Sequence, residues 1–152
     1  MVTFISHNVA ETVELGRSWA KEAGPGWLIG LTGELGAGKT QLVKGLALGL
    51  GVVERVHSPS FTLVNEYTGG RCALFHLDFY RLETPRQIES AGLDEYLFQP
   101  RGVTAVEWFE RWWDAGHEAG RWRAGGGPRL RRVWIELLSP EERRIAYEDW
   151  GP

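Results

Sequence analysis

Cysteine is almost absent from this chain: Cys72 is the only one in 152 residues, which excludes an internal disulfide. Its neighbours Ala73, Leu74 and Phe75 are apolar, so the thiol reads as buried and structural rather than catalytic. Long apolar runs are missing too, and none approaches the roughly 20 residues that span a bilayer as a helix. The N-terminus, Met1-Val2-Thr3-Phe4-Ile5-Ser6-His7, has no basic segment followed by an apolar core. A soluble cytoplasmic protein with no membrane association is therefore expected. Positive charge is not in excess. The net charge is -3 and the isoelectric point near 5.8, so the overall field does not draw the chain onto nucleic acid, and any RNA contact has to be local or go through a partner. Lysine is especially scarce: Lys21, Lys39 and Lys44 stand against fourteen arginines.

One of those lysines lies in the stretch around which the rest is organised. Gly33-Glu34-Leu35-Gly36-Ala37-Gly38-Lys39-Thr40 satisfies G-x-x-x-x-G-K-[ST] and directly follows the apolar run Trp27-Leu28-Ile29-Gly30-Leu31-Thr32. A polyphosphate needs several donors converging on its oxygens. Glycines at 33, 36 and 38, with Ala37 among them, allow backbone N–H groups to curl inward without Cβ clashes. A helix opening at Lys39 turns its positive end toward the phosphates, Lys39 reaches the β- and γ-oxygens, and the Thr40 hydroxyl is placed to ligate Mg2+.

The length suits one domain over residues 1–152, with 43% hydrophobic residues to build its core. Residues 2–5 read as a strand. Asn8 followed by Glu11 resembles a helix N-cap with its reciprocal partner, for a helix running to about Ala23 with Val13, Leu15, Trp19, Ala20 and Ala23 inward. Strand 27–32 feeds the phosphate loop, and helix 39–50 buries Leu42, Val43, Leu46 and Leu50. Runs 61–67 and 72–78 flank Thr68-Gly69-Gly70-Arg71 as a hairpin. Pro85 opens a helix through Ser90, residues 93–98 form a short helix, 103–108 a strand, and 109–115 a helix. Residues 116–128 contain five glycines without apolar periodicity and read as a flexible loop. Alternation of Val133, Ile135 and Leu137 with Arg132, Trp134 and Glu136, then a turn at 139–142 and residues 143–149, predicts a closing hairpin. The expected fold class is α/β: a P-loop NTPase-like three-layer fold with a mostly parallel central sheet and a C-terminal antiparallel hairpin.

Hydrolysis needs more than a phosphate loop, since a carboxylate must position magnesium and another group must orient water. The apolar run 72–77 ends in Asp78, the Walker B pattern. Val103-Thr104-Ala105-Val106 ends in Glu107, followed by Trp108. Either acid could instead be an ordinary solvated or ion-paired strand end. Between the loop and Asp78, Ser58-Pro59-Ser60-Phe61-Thr62 is a proline-stiffened turn with three hydroxyls. It could reach the γ-phosphate and change shape on hydrolysis, or simply start a strand.

GELGAGKT at 33–40, Ser58-Pro59-Ser60-Phe61-Thr62, His76-Leu77-Asp78-Phe79-Tyr80-Arg81, Gly92 after Ser90-Ala91, and Glu107-Trp108 together resemble the TsaE (YjeE) family, the bacterial P-loop ATPase of tRNA threonylcarbamoyladenosine biosynthesis. The likeness covers about residues 11–108 and, more loosely, the closing hairpin. It implies an ATPase using ATP and Mg2+ that supports threonylcarbamoyl transfer to the adenosine beside the anticodon. The implied partners are the TsaB and TsaD subunits, with tRNA met through the complex. It implies phosphate and magnesium binding by Lys39 and Thr40, metal and hydrolytic roles for Asp78 and Glu107, a nucleotide-side place for Trp108, and Arg143 near the base. Two residues depart from the family pattern: Ser60 replaces a threonine, and Phe109 replaces the proline usual after Glu-Trp. The glycine-rich 116–128 segment has no family counterpart.

Other functions share the loop. A small-molecule kinase closes arginines over a second substrate, for which Arg81 and Arg86 are available. A nucleotide-gated binding module is a further reading. A GTPase is disfavoured because no Asn-Lys-x-Asp string follows the loop. Finally, Arg121, Trp122, Arg123, Arg129, Arg131 and Arg132 lie in an acid-free stretch that either grips RNA phosphates or a partner's acidic face, or is a solvated basic loop.

Overall fold

The structure is a computed structural model that describes residues 1–113, Trp122 and 126–151. Its elements run β1 (Val2–Ser6), α1 (Val9–Trp19), β2 (Trp27–Gly33), α2 (Lys39–Leu50), β3 (Val64–Tyr67), β4 (Leu74–Asp78), α3 (Pro85–Ser90), α4 (Asp94–Leu97), β5 (Val103–Glu107), α5 (Glu110–Trp113), β6 (Arg129–Leu137) and β7 (Arg143–Trp150). The strands form one seven-stranded sheet in the order β1-β7-β6-β2-β5-β4-β3. Strands β6, β2, β5 and β4 are mutually parallel, while β3 and the β6–β7–β1 flank are antiparallel. The expected three-layer α/β fold is therefore present.

β2 is central because it is apolar on both faces. Ile29 and Leu31 pack with Trp19, Leu42, Val43 and Leu46 of α1 and α2. Leu28 packs on the other side with Leu77, Val106, Ile88, Leu97, Trp112 and Leu130. A continuous rather than alternating apolar run is what a strand buried on both faces requires. The two helices on the first face approach closely because glycines meet backbone: a Cβ on Gly45 would lie 1.9 Å from the Val13 carbonyl oxygen, and one on Gly16 would lie 2.2 Å from that of Leu42.

Several expectations are corrected. Helix α1 stops at Trp19 rather than Ala23, and tighter turns carry the chain through Glu22. Asn8 caps it as expected, accepting from Glu11 N–H, but the Glu11 carboxylate reaches past Asn8 to the N–H of His7. Residues 61–63 are a turn, not strand: Thr62 and Leu63 both donate to Pro59 C=O, and Leu63 has φ 68°. Leu137 is half exposed, whereas Arg131 and Arg132 are buried, because β6 lies inside the sheet between β2 and β7. Residues 114–115 of the predicted fifth helix, and 116–121 and 123–125 of the predicted loop, lie outside the described residues. Trp122 is buried against Trp112 and Trp113, and its indole N–H donates to Pro128 C=O.

That inward placement also takes Arg131 and Arg132 out of the basic grip. Arg131 donates to both Asp149 oxygens at 2.8 and 2.9 Å and also reaches Glu22. Arg132 is stacked near Trp113 and Trp134. Arg129 lies over Trp27 and within 3.8 Å of Asp149. The stretch is free of acids along the sequence, but folding brings Glu22, from the turns after α1, and Asp149 of β7 to it. Arg121 and Arg123 lie outside the described residues.

Candidate active site

Topology alone brings the predicted residues together. The phosphate loop leaves the C-terminal end of β2, Glu107 ends the neighbouring strand β5, and Asp78 ends β4 in register beside Glu107. In parallel sheets this carboxyl end is where ligands are bound. A cleft of about 550 Å³ lies there, lined among others by Gly36, Gly38, Thr40, Asp78, Glu107 and Trp108. Ala37, Lys39 and Arg143 also line it.

The loop's glycines have different reasons. Gly36 (φ 79°) and Gly38 (φ 110°) adopt left-handed backbone that side chains resist, which turns the loop back on itself ahead of α2. Gly33 has no such φ and does not line the cleft. A Cβ there would meet the Ile135 carbonyl oxygen at 2.7 Å, so this glycine permits close approach to β6. Arg143 ties the loop to the β6–β7 turn, donating to Ala37 C=O at 2.8 Å and to the Ser139 and Glu142 carbonyls of that turn. Its observed contact is with phosphate-loop backbone.

Lys39 is buried at 5% exposure, and its ammonium donates to the carbonyls of Gly33 and Glu34 and lies 4.2 Å above the Trp108 ring. Burial pushes its pKa down, opposed by the nearby carboxylates of Glu107, Glu110 and Asp78. Thr40 Oγ1 donates within 3.0 Å of both Glu107 oxygens. Asp78 is held differently: Oδ2 accepts from Ser58 at 2.8 Å and Ser60 at 3.2 Å, and Oδ1 accepts from Tyr80 N–H. The carboxylate touching the loop threonine is thus Glu107, one strand away, while the Walker B-like Asp78 sits one strand further off and is tied to the hydroxyl turn.

The donors facing the cleft are hydroxyl and carboxylate oxygens, the hard set magnesium takes with phosphate and water completing its shell. Among the described residues, no group of three His, Cys, Asp or Glu side chains forms a metal site of its own. Trp108 has φ 58°, a kink that ends β5 and turns its ring beneath Lys39 and beside Tyr80. Phe109 then dives into the core at 0% exposure and donates its N–H to Leu31 C=O at 3.1 Å. A proline there has no hydrogen to give, yet the turn is formed.

Two functional neighbours escaped the sequence reading. His76 lies in the H-x-D string, but nothing in that spacing indicates that it reaches Glu107, 31 positions away, at 2.5 Å. Glu110 has a buried Oε2 without a hydrogen-bond partner among the described residues and contributes to the field on Lys39. In the sequence it looks like any acid in a helix's first turn.

The sequence matches the family described as Threonylcarbamoyl adenosine biosynthesis protein TsaE over residues 6–136. The chain belongs to the TsaE family. It is 48% identical over 103 residues to a tRNA threonylcarbamoyladenosine biosynthesis protein TsaE of Nostoc sp., covering 66% of this chain and 63% of that protein. The same-named Bacillus subtilis protein is 46% identical over 101 residues, covering 66% and 62%. These matches span less than two thirds of either relative. The crystal structure of Bacillus subtilis YdiB superposes with a TM-score of 0.74 at 31% identity, covering 99% of this chain and 86% of that one. The TsaE match includes the phosphate loop, Asp78 and Glu107, whereas Arg143 lies beyond it.

Proposed function

We propose that this chain is a magnesium-dependent ATPase, slow by itself, whose turnover supports threonylcarbamoyl transfer to the tRNA adenosine beside the anticodon in a complex with TsaB and TsaD. The observation that carries this reading is the contact between Thr40, at the head of the phosphate-loop helix, and Glu107 at the end of the adjacent strand. In this reading the backbone N–H groups from Gly36 to Thr40 and the first turn of α2 bind phosphate oxygens. Lys39 exchanges its loop carbonyls for β- and γ-oxygens. Thr40 and Glu107 hold magnesium, which when bound offsets charge on the phosphates. Asp78, oriented by Ser58, Ser60 and Tyr80 N–H, is the acceptor placed to orient the attacking water. Arg143 braces the loop backbone at Ala37, and Trp108 covers the Lys39 side chain.

The kinase alternative needs a second substrate beside the cleft. Arg81 lines the cleft, over the Phe61 ring, but Arg86 lines a separate hollow on α3. Phosphate release from ATP with magnesium, measured for the protein alone and then with TsaB, TsaD and tRNA, tests the proposal. Stimulation by the partners without any metabolite supports it. Phosphate appearing only on an added small molecule, with no response to the partners, replaces it with the kinase.

A further inference from the structure

His76 is fully buried on β4, two residues before Asp78, in register with Ala105 of β5. Its Nε2 lies 2.5 Å from Glu107 Oε2. Its Nδ1 is buried with no hydrogen-bond partner among the described residues. A buried polar nitrogen left unpaired costs on the order of 1–3 kcal/mol. A strand position offering an apolar residue in its place would avoid that cost, so a compensating role belongs to the other nitrogen. A carboxylate oxygen is the acceptor in such a pair, so the hydrogen lies on Nε2.

Glu107 therefore has two protein donors of different character. The Thr40 hydroxyl sits at the open cleft and is shared between both carboxylate oxygens. The imidazole is locked inside the sheet face and holds one oxygen alone. We propose that His76 is a positioning residue: by donating Nε2–H to Oε2 it fixes the plane of the Glu107 carboxylate, leaving Oε1 and the Thr40 hydroxyl as the oxygen pair offered to a nucleotide-bound divalent cation. Removal of such an outer partner typically weakens metal affinity about 10–100-fold. The hydrogen bond stands by itself, whereas the cation half rests on the ATPase reading above.

Two measurements separate them. Nitrogen-15 NMR of the metal-free, nucleotide-free protein, with the His76 signals assigned by their loss in His76→Gln, should show a hydrogen on Nε2; a bare Nε2 overturns the inference. Calorimetric ADP affinity with and without magnesium is then compared for wild type, His76→Gln and His76→Asn. The Gln amide reaches the position of Nε2 and the Asn amide stops near Nδ1. His76→Gln should retain most of the magnesium-dependent gain and His76→Asn should lose about tenfold of it, with magnesium-free affinity unchanged in both, which also reports an intact fold. Equal gains in both variants overturn the positioning role. Wild type that binds no ADP refutes the ATPase reading, and the state of Nε2 then decides the His76 inference alone.

Discussion

Phe109 follows directly on Glu107-Trp108 and is buried in the core, and the structure makes its replacement costly in a calculable way. The ring is fully buried, about 5.5 Å centroid to centroid from Trp112 and Trp113, and lies against Gly30, where an added Cβ would be 2.3 Å from Phe109 Cδ1. Phe109→Ala removes that ring, for which core truncations cost roughly 3–5 kcal/mol. Phe109→Pro loses the ring and also the N–H to Leu31 C=O, an unmade buried bond worth about 1–3 kcal/mol more. Gly30→Ala by itself forces a methyl into the ring and should cost about 1–3 kcal/mol. In the Phe109→Ala background the same methyl enters the space the ring left, so its cost should vanish or reverse. Urea unfolding followed by circular dichroism reads all four variants. With a slope of about 1–3 kcal/mol/M, Phe109→Ala shifts the midpoint by at least about 1 M. A Phe109→Pro protein as stable as wild type, or a Gly30→Ala cost equal in both backgrounds, would refute the packing argument.

Lys39→Ala should abolish detectable nucleotide binding by calorimetry, while Glu107→Ala and Asp78→Ala should cut phosphate release by at least about 100-fold with native circular dichroism. Unchanged turnover in both acid variants would remove them from the site. Gly38→Ala places a Cβ at φ 110°, and should lower stability by about 1–3 kcal/mol and nucleotide affinity with it; retained affinity would mean the loop does not need this backbone. Asp149 has its pKa held below the ordinary 3.8, first by the hydrogen bond from Arg131. A depressed carboxylate adds stability above its unfolded value that is lost as pH falls through the folded value. The stability gap between wild type and Arg131→Met should therefore narrow as pH drops below about 3.8, and a gap constant with pH would show that the ion pair contributes nothing there.

Much of the site was legible because its local geometry is encoded by contiguous residues. The phosphate loop needs specific backbone and a specific lysine and threonine within eight positions, and α2 begins at Lys39 and ends at Leu50 as its sequence requires. Asp78 and Glu107 were readable as acids ending apolar strands. The partner of each acid was not, since Ser58, Ser60 and Thr40 are assigned between them only by strand order. The residues 61–63 failed as strand because Pro59 C=O captures two N–H groups that a ladder would otherwise use. The partners of Arg131 were not legible in its acid-free stretch, because Glu22, just past α1, and Asp149 of β7 are distant along the chain.

The sequence by itself determined the strand-loop-helix unit, the α/β class, the closing hairpin and the candidate acids, because each depends on periodicity or turn chemistry within a few residues. Only the tertiary structure decided that β6 and β5 flank β2, and hence that Glu107 rather than Asp78 touches Thr40. It also decided that His76 holds Glu107, that Arg143 braces the loop backbone, and that Arg131 and Arg132 point inward. These are contacts between segments tens of residues apart, set by which strands pair and which faces the helices cover, and no local pattern carries that information.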